Sequence, residues 1–262
     1  MSEQLFLEER RRLIMDHLRL HGRVSVKALS EKLNVSAVTI RQDLRALEEA
    51  GLLERTYGGA VLPFSGQAGP ELSFDLRLRQ RHEIKEAIAQ AAARMIRDGY
   101  GIALDASTTT FALVPHLKQF KKLVVITNSL MIAQRLLDSP QIQVFLPGGR
   151  LRRDSIAVVG RPETLPDINL NLGFFGTRGI SLERGVTETD PDEAEMKRAL
   201  TTRCLSTVIL ADHTKWDTVA PFTFVELEDV ETILTDDRVP QGLLNRYRDQ
   251  GIDVMAVPAA EK

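Results

Sequence analysis

The chain has 262 residues, of which 43% are hydrophobic and 27% charged, and its formal net charge is −2. This length suits one large or two ordinary domains, and the near-neutral charge means that any nucleic-acid surface must be a local concentration of basic side chains. The single Cys204 excludes an internal disulfide and a cysteine zinc site, and without a membrane-spanning run or signal-peptide core we expect a cytoplasmic protein.

Residues 1–62 carry a pattern that predicts three helices followed by a short hairpin. Ser25 and Ser36 precede the second and third helices and are expected to cap them. Tyr57-Gly58-Gly59 favours a hairpin turn. The residues predicted to face inward are Leu7, Ile14 and Leu18 in the first helix, Val26, Leu29 and Leu33 in the second, and Ile40, Leu44 and Leu47 in the third.

This order of elements is typical of a winged helix-turn-helix, an α+β DNA-binding domain. With its apolar stripe inward, the third helix turns Arg41, Gln42 and Arg45 outward, and these side chains can hydrogen bond base edges. Residues 1–62 contain ten Lys or Arg and nine Asp or Glu, so charge leaves open a plain packing module with solvated arginines. The predicted DNA-binding residues are Ser36, Thr39, Arg41, Gln42, Arg45, Arg55, Tyr57 and Gly58.

Residues 63–81 are predicted to be a linker, because small and flexible residues separate Pro63 from Pro70. After a helix over 83–97, residues 82–262 alternate apolar strands with helices, which is typical of an α/β domain with a mostly parallel sheet covered on both faces. The predicted strands are 102–105, 123–127, 144–147, 174–176, 207–212, 232–235 and 254–257, and the predicted helices between them include 111–117, 130–137, 192–204 and 241–250.

Several loops of this domain follow strands, and ligands bind beyond the carboxyl ends of strands in open α/β sheets. The run from Ser107 to Thr110 starts a helix, where hydroxyls and amides suit a phosphate, although a simple N-cap is the alternative. Lys197 lies four residues after Glu193, a spacing common in surface pairs. Lys215 follows Asp212 as a charge pair, for which a structural salt bridge is equally plausible.

Two long motifs carry a family resemblance. The first includes Thr39-Ile40-Arg41-Gln42-Asp43-Leu44 and Gly58-Gly59-Ala60, and residues 10–61 around it resemble the N-terminal domain of the DeoR family of bacterial regulators. The family usually has a second Arg at Gln42, so the resemblance implies a shifted base preference or one weaker phosphate contact. The second motif includes Leu104-Asp105, Ser107-Thr108-Thr109, Thr127-Asn128-Ser129, Gly148-Gly149, Glu193-Ala194 with Lys197, and Ala211-Asp212 with Lys215.

Through this second motif, residues 83–258 resemble the sensor domain of the same family. The resemblance implies a fold similar to ribose-5-phosphate isomerases and a site for phosphorylated sugars. Ser107 stands where the family often has Gly, which would narrow the pocket or replace a backbone contact with a hydroxyl one. The effector-binding residues that the resemblance implies are Asp105, Ser107, Thr108, Thr109, Asn128, Gly148, Gly149, Lys197, Asp212 and Lys215.

These observations predict a transcription regulator, a repressor of a carbohydrate-utilisation operon that responds to a phosphorylated sugar or polyol. Two-fold operator DNA favours a homo-oligomer, a dimer or tetramer. The alternative is an enzyme, either a phosphosugar isomerase or a Schiff-base aldolase using Lys197 or Lys215. The loop Gly176-Thr177-Arg178-Gly179 lacks the carboxylate base that an isomerase needs, and no phosphate-loop or dinucleotide motif, metal spacing or cofactor motif is present.

Overall fold

The computed structural model describes residues 7–21, 23–49, 52–56, 58–61 and 74–259. The chain divides into two compact units, Met1–Leu72 and Ser73–Lys262, and the division falls inside the predicted linker. In the described residues no helix combines the length and apolarity needed to cross a membrane.

The first unit contains three helices and a small antiparallel sheet. The elements are α1 (Leu7–His21), β1 (Arg23–Ser25), α2 (Val26–Leu33), α3 (Ala37–Glu49), β2 (Glu54–Thr56) and β3 (Gly59–Val61). The predicted hairpin is β2–β3, and the sequence prediction missed β1, which pairs with the other side of β3. Ser25 caps α2 as predicted, since its side chain accepts a hydrogen bond from the Ala28 amide. Asn34 ends this helix in the left-handed conformation at φ 51°.

The core of this unit is formed by the predicted faces of the helices, with one exception. Ile14, Leu18 and the stripe of α3 are buried, whereas Leu7 is half exposed and Met15 is buried instead. The seven-residue spacing correctly placed Leu7 on the same helical face as Ile14. Leu7 is nevertheless half exposed, because it lies at the start of α1, beyond the side chains that cover the later turns.

The second unit contains six helices and twelve strands among the described residues. The helices are α4 (Phe74–Arg79), α5 (His82–Ala93), α6 (Thr108–Leu117), α7 (Leu130–Arg135), α8 (Pro191–Thr201) and α9 (Gln241–Arg248). The strands are β4 (Gly101–Leu104), β5 (Leu123–Thr127), β6 (Ile142–Phe145), β7 (Arg150–Arg152), β8 (Ala157–Val159), β9 (Leu170–Gly176), β10 (Gly179–Ser181), β11 (Gly185–Glu188), β12 (Cys204–Leu210), β13 (Phe222–Val225), β14 (Thr232–Asp236) and β15 (Asp253–Val257).

A seven-stranded parallel sheet forms the centre of this unit, in the order β15-β14-β12-β9-β4-β5-β6. Its strands are apolar on both faces, and each face packs into its own hydrophobic core. This confirms the predicted α/β class. The β7–β8 hairpin and the β10-β11-β13 sheet were not predicted, because their strands have only three or four residues each.

The last third of the predicted linker is helical, which corrects the boundary at residue 81. Phe74 of α4 is buried, and its ring packs edge-to-face on Phe111 of α6 with ring centroids 5.5 Å apart. The apolar side chain of Phe74 therefore attaches α4 to the second unit, and the flexible composition that predicted a linker applies only to residues before it.

Candidate functional site

The outer face of α3 carries the side chains that were predicted to contact DNA. Arg41, Gln42 and Arg45 are exposed, while the apolar stripe of the same helix is buried. Ser36 caps the helix as predicted, because its Oγ accepts from the Thr39 amide at 3.1 Å. The Thr39 hydroxyl lies 2.9 Å from the same Oγ, so it is already engaged in the cap.

Two further side chains shape this surface. Asp43 is buried on the opposite side of α3, where Arg10 Nε lies 2.6 Å from Oδ2 and Arg11 Nε 3.1 Å from Oδ1. A buried carboxylate needs such partners, so this cluster holds α3 against α1. Val38 is 61% exposed and lies one turn before Arg41 and Gln42, where an apolar group can meet a thymine methyl. The sequence prediction assigned neither residue a role.

The predicted wing is the β2–β3 hairpin. Arg55 is exposed, but its amide donates to Glu48 Oε1 at 3.0 Å and its guanidinium lies 3.6 Å from Oε2 of the same carboxylate. Gly58 has φ +92°, a conformation that favours glycine, and open space surrounds its Cα. Tyr57 lies outside the described residues. The DNA contacts of Arg55 and Gly58 stay predictions.

Four neighbouring strands of the central sheet bring the other predicted residues together. β12, β9, β4 and β5 lie side by side, and at or just after their carboxyl ends come Asp212, Gly176, Asp105 and Asn128. Adjacent strands are about 4.8 Å apart. From β4 the chain continues to β5 on one side, whereas β9 lies on the other, so β4 and β9 flank the switch point at which open α/β sheets bind ligands.

A buried ion cluster, formed by Lys197, Asp105 and Glu188, occupies this switch point. The Lys197 ammonium lies 2.6 Å from Glu188 Oε2 and 3.0 Å from Asp105 Oδ2, and it donates to the Gly176 carbonyl at 2.8 Å. The Gly176 amide donates to the same Asp105 oxygen at 3.0 Å. The cluster therefore joins α8, β11 and the ends of the two central strands.

Lys197 and Glu188 of the ion cluster each stabilise the charged form of the other. Burial by itself lowers the pKa of Lys197, but the carboxylates of Glu188 and Asp105 outweigh burial and raise it. Burial likewise raises the pKa of Glu188, and the cations of Lys197 and Arg178 outweigh it and lower that pKa. Lys197 is consequently protonated and Glu188 ionised at neutral pH. A protonated lysine is a poor nucleophile, and a carboxylate with a lowered pKa is a weak base.

Glu193 and Lys197 do not form the surface pair that their spacing commonly indicates, because both side chains are buried. Glu193 Oε1 lies 3.0 Å from Nε of Arg152, a residue of β7 that also pairs with Asp190. The four-residue spacing did place both on one face of α8. That face is covered by the sheet and by the unpredicted β7–β8 hairpin, and each side chain meets a partner from another element.

Residues 107–110 are here called the hydroxyl loop. Some of its polar groups hydrogen bond within the protein, and others are left for a ligand. Ser107 Oγ accepts from the Thr110 amide at 3.2 Å, and Thr110 Oγ1 donates to Asp105 Oδ1 at 2.6 Å, so both hydroxyls serve the helix cap. The amides and hydroxyls of Thr108 and Thr109 make no hydrogen bond to any described residue. These four groups lie at the N-terminus of the ten-residue helix α6, whose dipole favours an anion there.

Asn128 follows β5, the strand next to the one that precedes the hydroxyl loop, and it has one buried polar atom without a partner among the described residues. Its Nδ2 donates to a backbone carbonyl of β8 at 3.3 Å, but Oδ1 has no hydrogen bond within the described residues. An unpartnered buried oxygen is costly, and a donor on a ligand would satisfy it.

Gly148 and Gly149 are exposed at the start of the β7–β8 hairpin. The Gly148 amide donates to Thr164 Oγ1 at 2.7 Å, so it is occupied by the protein itself. Gly149 has φ +148°, and a Cβ there would lie 2.4 Å from a carbonyl of β8. This close approach explains the glycine through the hairpin, and ligand contact by the two residues stays a prediction.

Lys85 and Lys215, here called the lysine pair, have no carboxylate within 4 Å among the described residues. The predicted ion pair between Lys215 and Asp212 does not form within 4 Å, and Asp212 pairs instead with Arg81 at 3.9 Å. The Lys215 ammonium makes no hydrogen bond to a described residue. Lys85 is 6% exposed, and its ammonium donates to two backbone carbonyls at the end of α4.

The lysine pair lies in an environment that disfavours its positive charge. Burial lowers the pKa of Lys85 to about 8; Asp212 offsets part of this effect, and Lys215 adds to it. Burial also lowers the pKa of Lys215, with Asp212 again opposing. Two ammonium groups whose pKa values are lowered by burial are suited to an anion, which would stabilise the protonated form of both.

The sequence prediction missed Lys85 and Glu188 as site residues. Lys85 had a readable signal, because it shares the buried face of α5 with Ala89 and Ala92, four and seven residues later. A lysine on an apolar face needs an explanation. Glu188 gave no such signal in the sequence, since it belongs to a short strand whose position depends on pairing with a strand far away in the sequence.

Two family models match the chain: a DeoR-like helix-turn-helix domain at residues 10–65 and a DeoR C terminal sensor domain at residues 80–237. The HTH-type transcriptional regulator GolR of Listeria innocua is 35% identical over 95% of this chain and 98% of its own length. The HTH-type transcriptional repressor GlcR of Bacillus subtilis is 32% identical over 98% and 99%, and the glycerol-3-phosphate regulon repressor of Haemophilus influenzae is 32% identical over 87% and 89%.

Among solved structures, ribose 5-phosphate isomerase A of Methanocaldococcus jannaschii aligns with 52% of this chain and 55% of its own, at 13% identity and a TM-score of 0.40. A helix-turn-helix unit followed by an α/β sensor unit with a polar strand-end site defines a DNA-binding transcriptional regulator. The chain belongs to the DeoR family of such regulators, which confirms the resemblance of both motifs.

Proposed function

We propose that this chain represses a carbohydrate-utilisation operon and that a phosphorylated sugar or polyol, bound at the strand ends, releases it from its operator. The lysine pair carries this proposal. A phosphate dianion supplies the negative charge that Lys85 and Lys215 lack, and it can accept hydrogen bonds from the amides of Thr108 and Thr109. A hydroxyl of the sugar can donate to Asn128 Oδ1.

Selectivity for the phosphorylated compound follows from the same contacts. Hydrogen bonds to a charged group are about twice as strong as neutral ones. The neutral parent sugar keeps the hydroxyl contacts and loses those with the lysine pair, so it should bind much more weakly. The name of one relative, a glycerol-3-phosphate regulon repressor, refers to a phosphorylated polyol and supports this ligand class.

On the DNA side, α3 would lie in the major groove and the β2–β3 hairpin beside the backbone. Arg41 and Arg45 are suited to guanine edges and Gln42 to adenine. Helix-turn-helix regulators place two such helices on half-sites one helical turn apart. A dimer or tetramer of this chain would meet that requirement.

The sensor unit would bind its ligand without converting it. Asp105 and Glu188 share the ammonium of Lys197, which leaves neither of them free as the carboxylate base that sugar isomerisation needs. For Schiff-base chemistry Lys197 is protonated, and Lys215 is the remaining predicted nucleophile because its pKa is lowered. Trapping with borohydride in the presence of a sugar phosphate, followed by mass measurement, would detect an adduct at Lys215 if this alternative held.

Operator release tests the proposal. The full chain is bound to labelled DNA from upstream of its own gene, and fluorescence anisotropy is followed during titration with glycerol 3-phosphate, ribose 5-phosphate, glucose 6-phosphate and their neutral parents. We expect one phosphorylated compound to release the DNA and its parent to fail, with sodium sulfate at matched ionic strength as the control. Equal release by a neutral parent, or none by phosphorylated pentoses, hexoses and polyols, would contradict the proposal.

A further inference from the structure

We infer that β6, the strand at one edge of the central sheet, is a dimerisation surface on which a second copy of this chain pairs its own β6 in antiparallel orientation. The inference rests on the proposed function, which needs at least two copies of the chain but does not say where they meet. An apolar groove lies beside this edge, and none of its lining residues was assigned to the ligand site.

The main chain of β6 directs hydrogen-bonding groups away from the sheet. β6 is the last strand in the sheet order, and among the described strands it pairs with β5 alone. The Leu123 amide of β5 donates to the Gln141 carbonyl at 3.3 Å, so the main chain of Gln141 faces β5. Because main-chain groups alternate in direction along a strand, the amide and carbonyl of Val144 face the open edge.

The groove beside this edge is apolar. It has a volume of about 510 Å³, lies between α7, the turn that follows it and β6, and has no charged residue among the described residues that line it. Leu137, two residues after α7, is 82% exposed, and Leu146, directly after β6, is 40% exposed. Proteins usually protect an edge strand with a charge or a proline, and β6, with the sequence Ile-Gln-Val-Phe, has neither.

A second copy of β6 fits this edge because the apolar side chains are arranged symmetrically about Val144. In antiparallel pairing around a two-fold axis, Val144 lies opposite the same residue of the second copy, and Ile142 lies opposite Leu146. These three side chains line the groove, so apolar groups would meet along the contact. The two Val144 residues would exchange two main-chain hydrogen bonds. Such a contact is self-complementary and matches a two-fold operator.

The opposite edge of the sheet is less suited to this contact. The strand at that edge, β15, begins with the exposed carboxylate of Asp253. A charge on an edge strand opposes pairing with another strand, because the charge loses water when the second strand covers it. The uncharged β6 is therefore the edge that a second copy would use.

Sedimentation equilibrium of the full chain tests the inference. Leu137→Glu places a carboxylate at the exposed rim of the groove in both copies, so we expect the dissociation constant of this contact to rise by about tenfold or more. A tetramer should then become a dimer, or a dimer a monomer. Leu205→Glu is the matched control, because Leu205 of β12 is 78% exposed but lies outside the groove, and its mass should stay that of the wild type.

Cross-linking tests the register of the pairing. Val144→Cys should give a covalent dimer with a short bis-maleimide, since the two β-carbons would be about 5 Å apart. The wild type is the control, because burial raises the pKa of the Cys204 thiol to about 12 and leaves it little reactive near neutral pH. Adding Leu137→Glu to Val144→Cys should suppress the cross-link.

A Leu137→Glu protein with the mass of the wild type, a monomeric wild type, or a Val144→Cys protein without cross-link would each overturn the inference. If Leu137→Glu does not fold, the cross-link at Val144→Cys decides alone. Operator release by glycerol 3-phosphate, ribose 5-phosphate and glucose 6-phosphate is measured on the same wild-type protein. Release without the β6 contact would leave the proposed function standing, and the contact without release would contradict the proposed function alone.

Discussion

The ion cluster lies at the ends of the central strands, and the lysine pair is formed by Lys85 of α5 and Lys215 after β12. The ammonium groups of the two sets have opposite electrostatic environments. Lys197 meets two carboxylates within 3.0 Å, and its pKa is raised. In the part of the chain that the structure describes, Lys85 and Lys215 meet no carboxylate within 4 Å, and their pKa values are lowered. A cation with its partners inside the protein supports the architecture, whereas we expect one that lacks them to be stabilised by a ligand. The comparison therefore separates residues that build the site from those that use it.

The largest effect that we expect is on folding, from Lys197→Met. This variant leaves Asp105 and Glu188 buried beside each other without their cation, and breaking a buried ion pair costs about 3–5 kcal/mol. Urea denaturation followed by circular dichroism measures the loss. Lys118→Met is the control, since Lys118 forms an exposed pair with Asp138 and should change little. A Lys197→Met protein as stable as the wild type would remove the structural role of the cluster.

Lys215→Met should act in the opposite way, on binding and not on folding. The Lys215 ammonium has no hydrogen bond or salt bridge to a described residue, so its loss should leave the free energy of unfolding unchanged or improved. The affinity for the effective sugar phosphate should fall by about 1.5–3 kcal/mol, or roughly 10- to 150-fold. Calorimetric titration and urea denaturation of the same preparation check both halves. Unchanged affinity would place the phosphate away from the lysine pair.

The same contrast exists in the first unit, between the buried Arg10–Asp43 pair and the exposed arginines of α3. Arg41→Ala should cost about 1–3 kcal/mol of operator affinity without changing the fold. A gel shift with the native upstream region measures it, and Arg12→Ala, exposed on α1, serves as the control. Unaltered operator affinity in both Arg41→Ala and Arg45→Ala would contradict the placement of α3 in the groove.

The smallest effect concerns the hydroxyl loop. Thr108→Val removes a hydroxyl that has no partner among the described residues, at nearly constant volume, and should weaken the response to ligand by about 0.5–1.5 kcal/mol. Operator binding without ligand should stay normal. Thr110→Val is the matched variant, and because the Thr110 hydroxyl bonds Asp105 it should lower stability. A Thr108→Val protein that responds like the wild type would show that this hydroxyl does not contact the ligand.

The sequence predicted where the candidate site lies, but not which of its charged side chains pair with one another. The strand ends were predictable, because buried parallel strands have continuous apolar runs and their loops follow at known places. Which charges are paired depended on β11 and the β7–β8 hairpin, whose short strands give little signal in the sequence. Thus Lys197, predicted as a ligand residue, is held by Glu188, whereas Asp212 and Lys215, predicted as a charge pair, form no salt bridge within 4 Å, and Asp212 pairs with Arg81.

The central claim is that a phosphate binds at the lysine pair, and calorimetry of the effective sugar phosphate across pH tests it most directly. Lys85 in the free protein has a pKa of about 8, and a bound anion should raise it, so binding near that pH should take up protons. Affinity should then fall from about pH 7 to about pH 9.5, while the phosphate, whose second pKa is about 6, stays a dianion. Lys85→Met should flatten this dependence. Equal affinity at both pH values, with no proton uptake near pH 8, would contradict the claim.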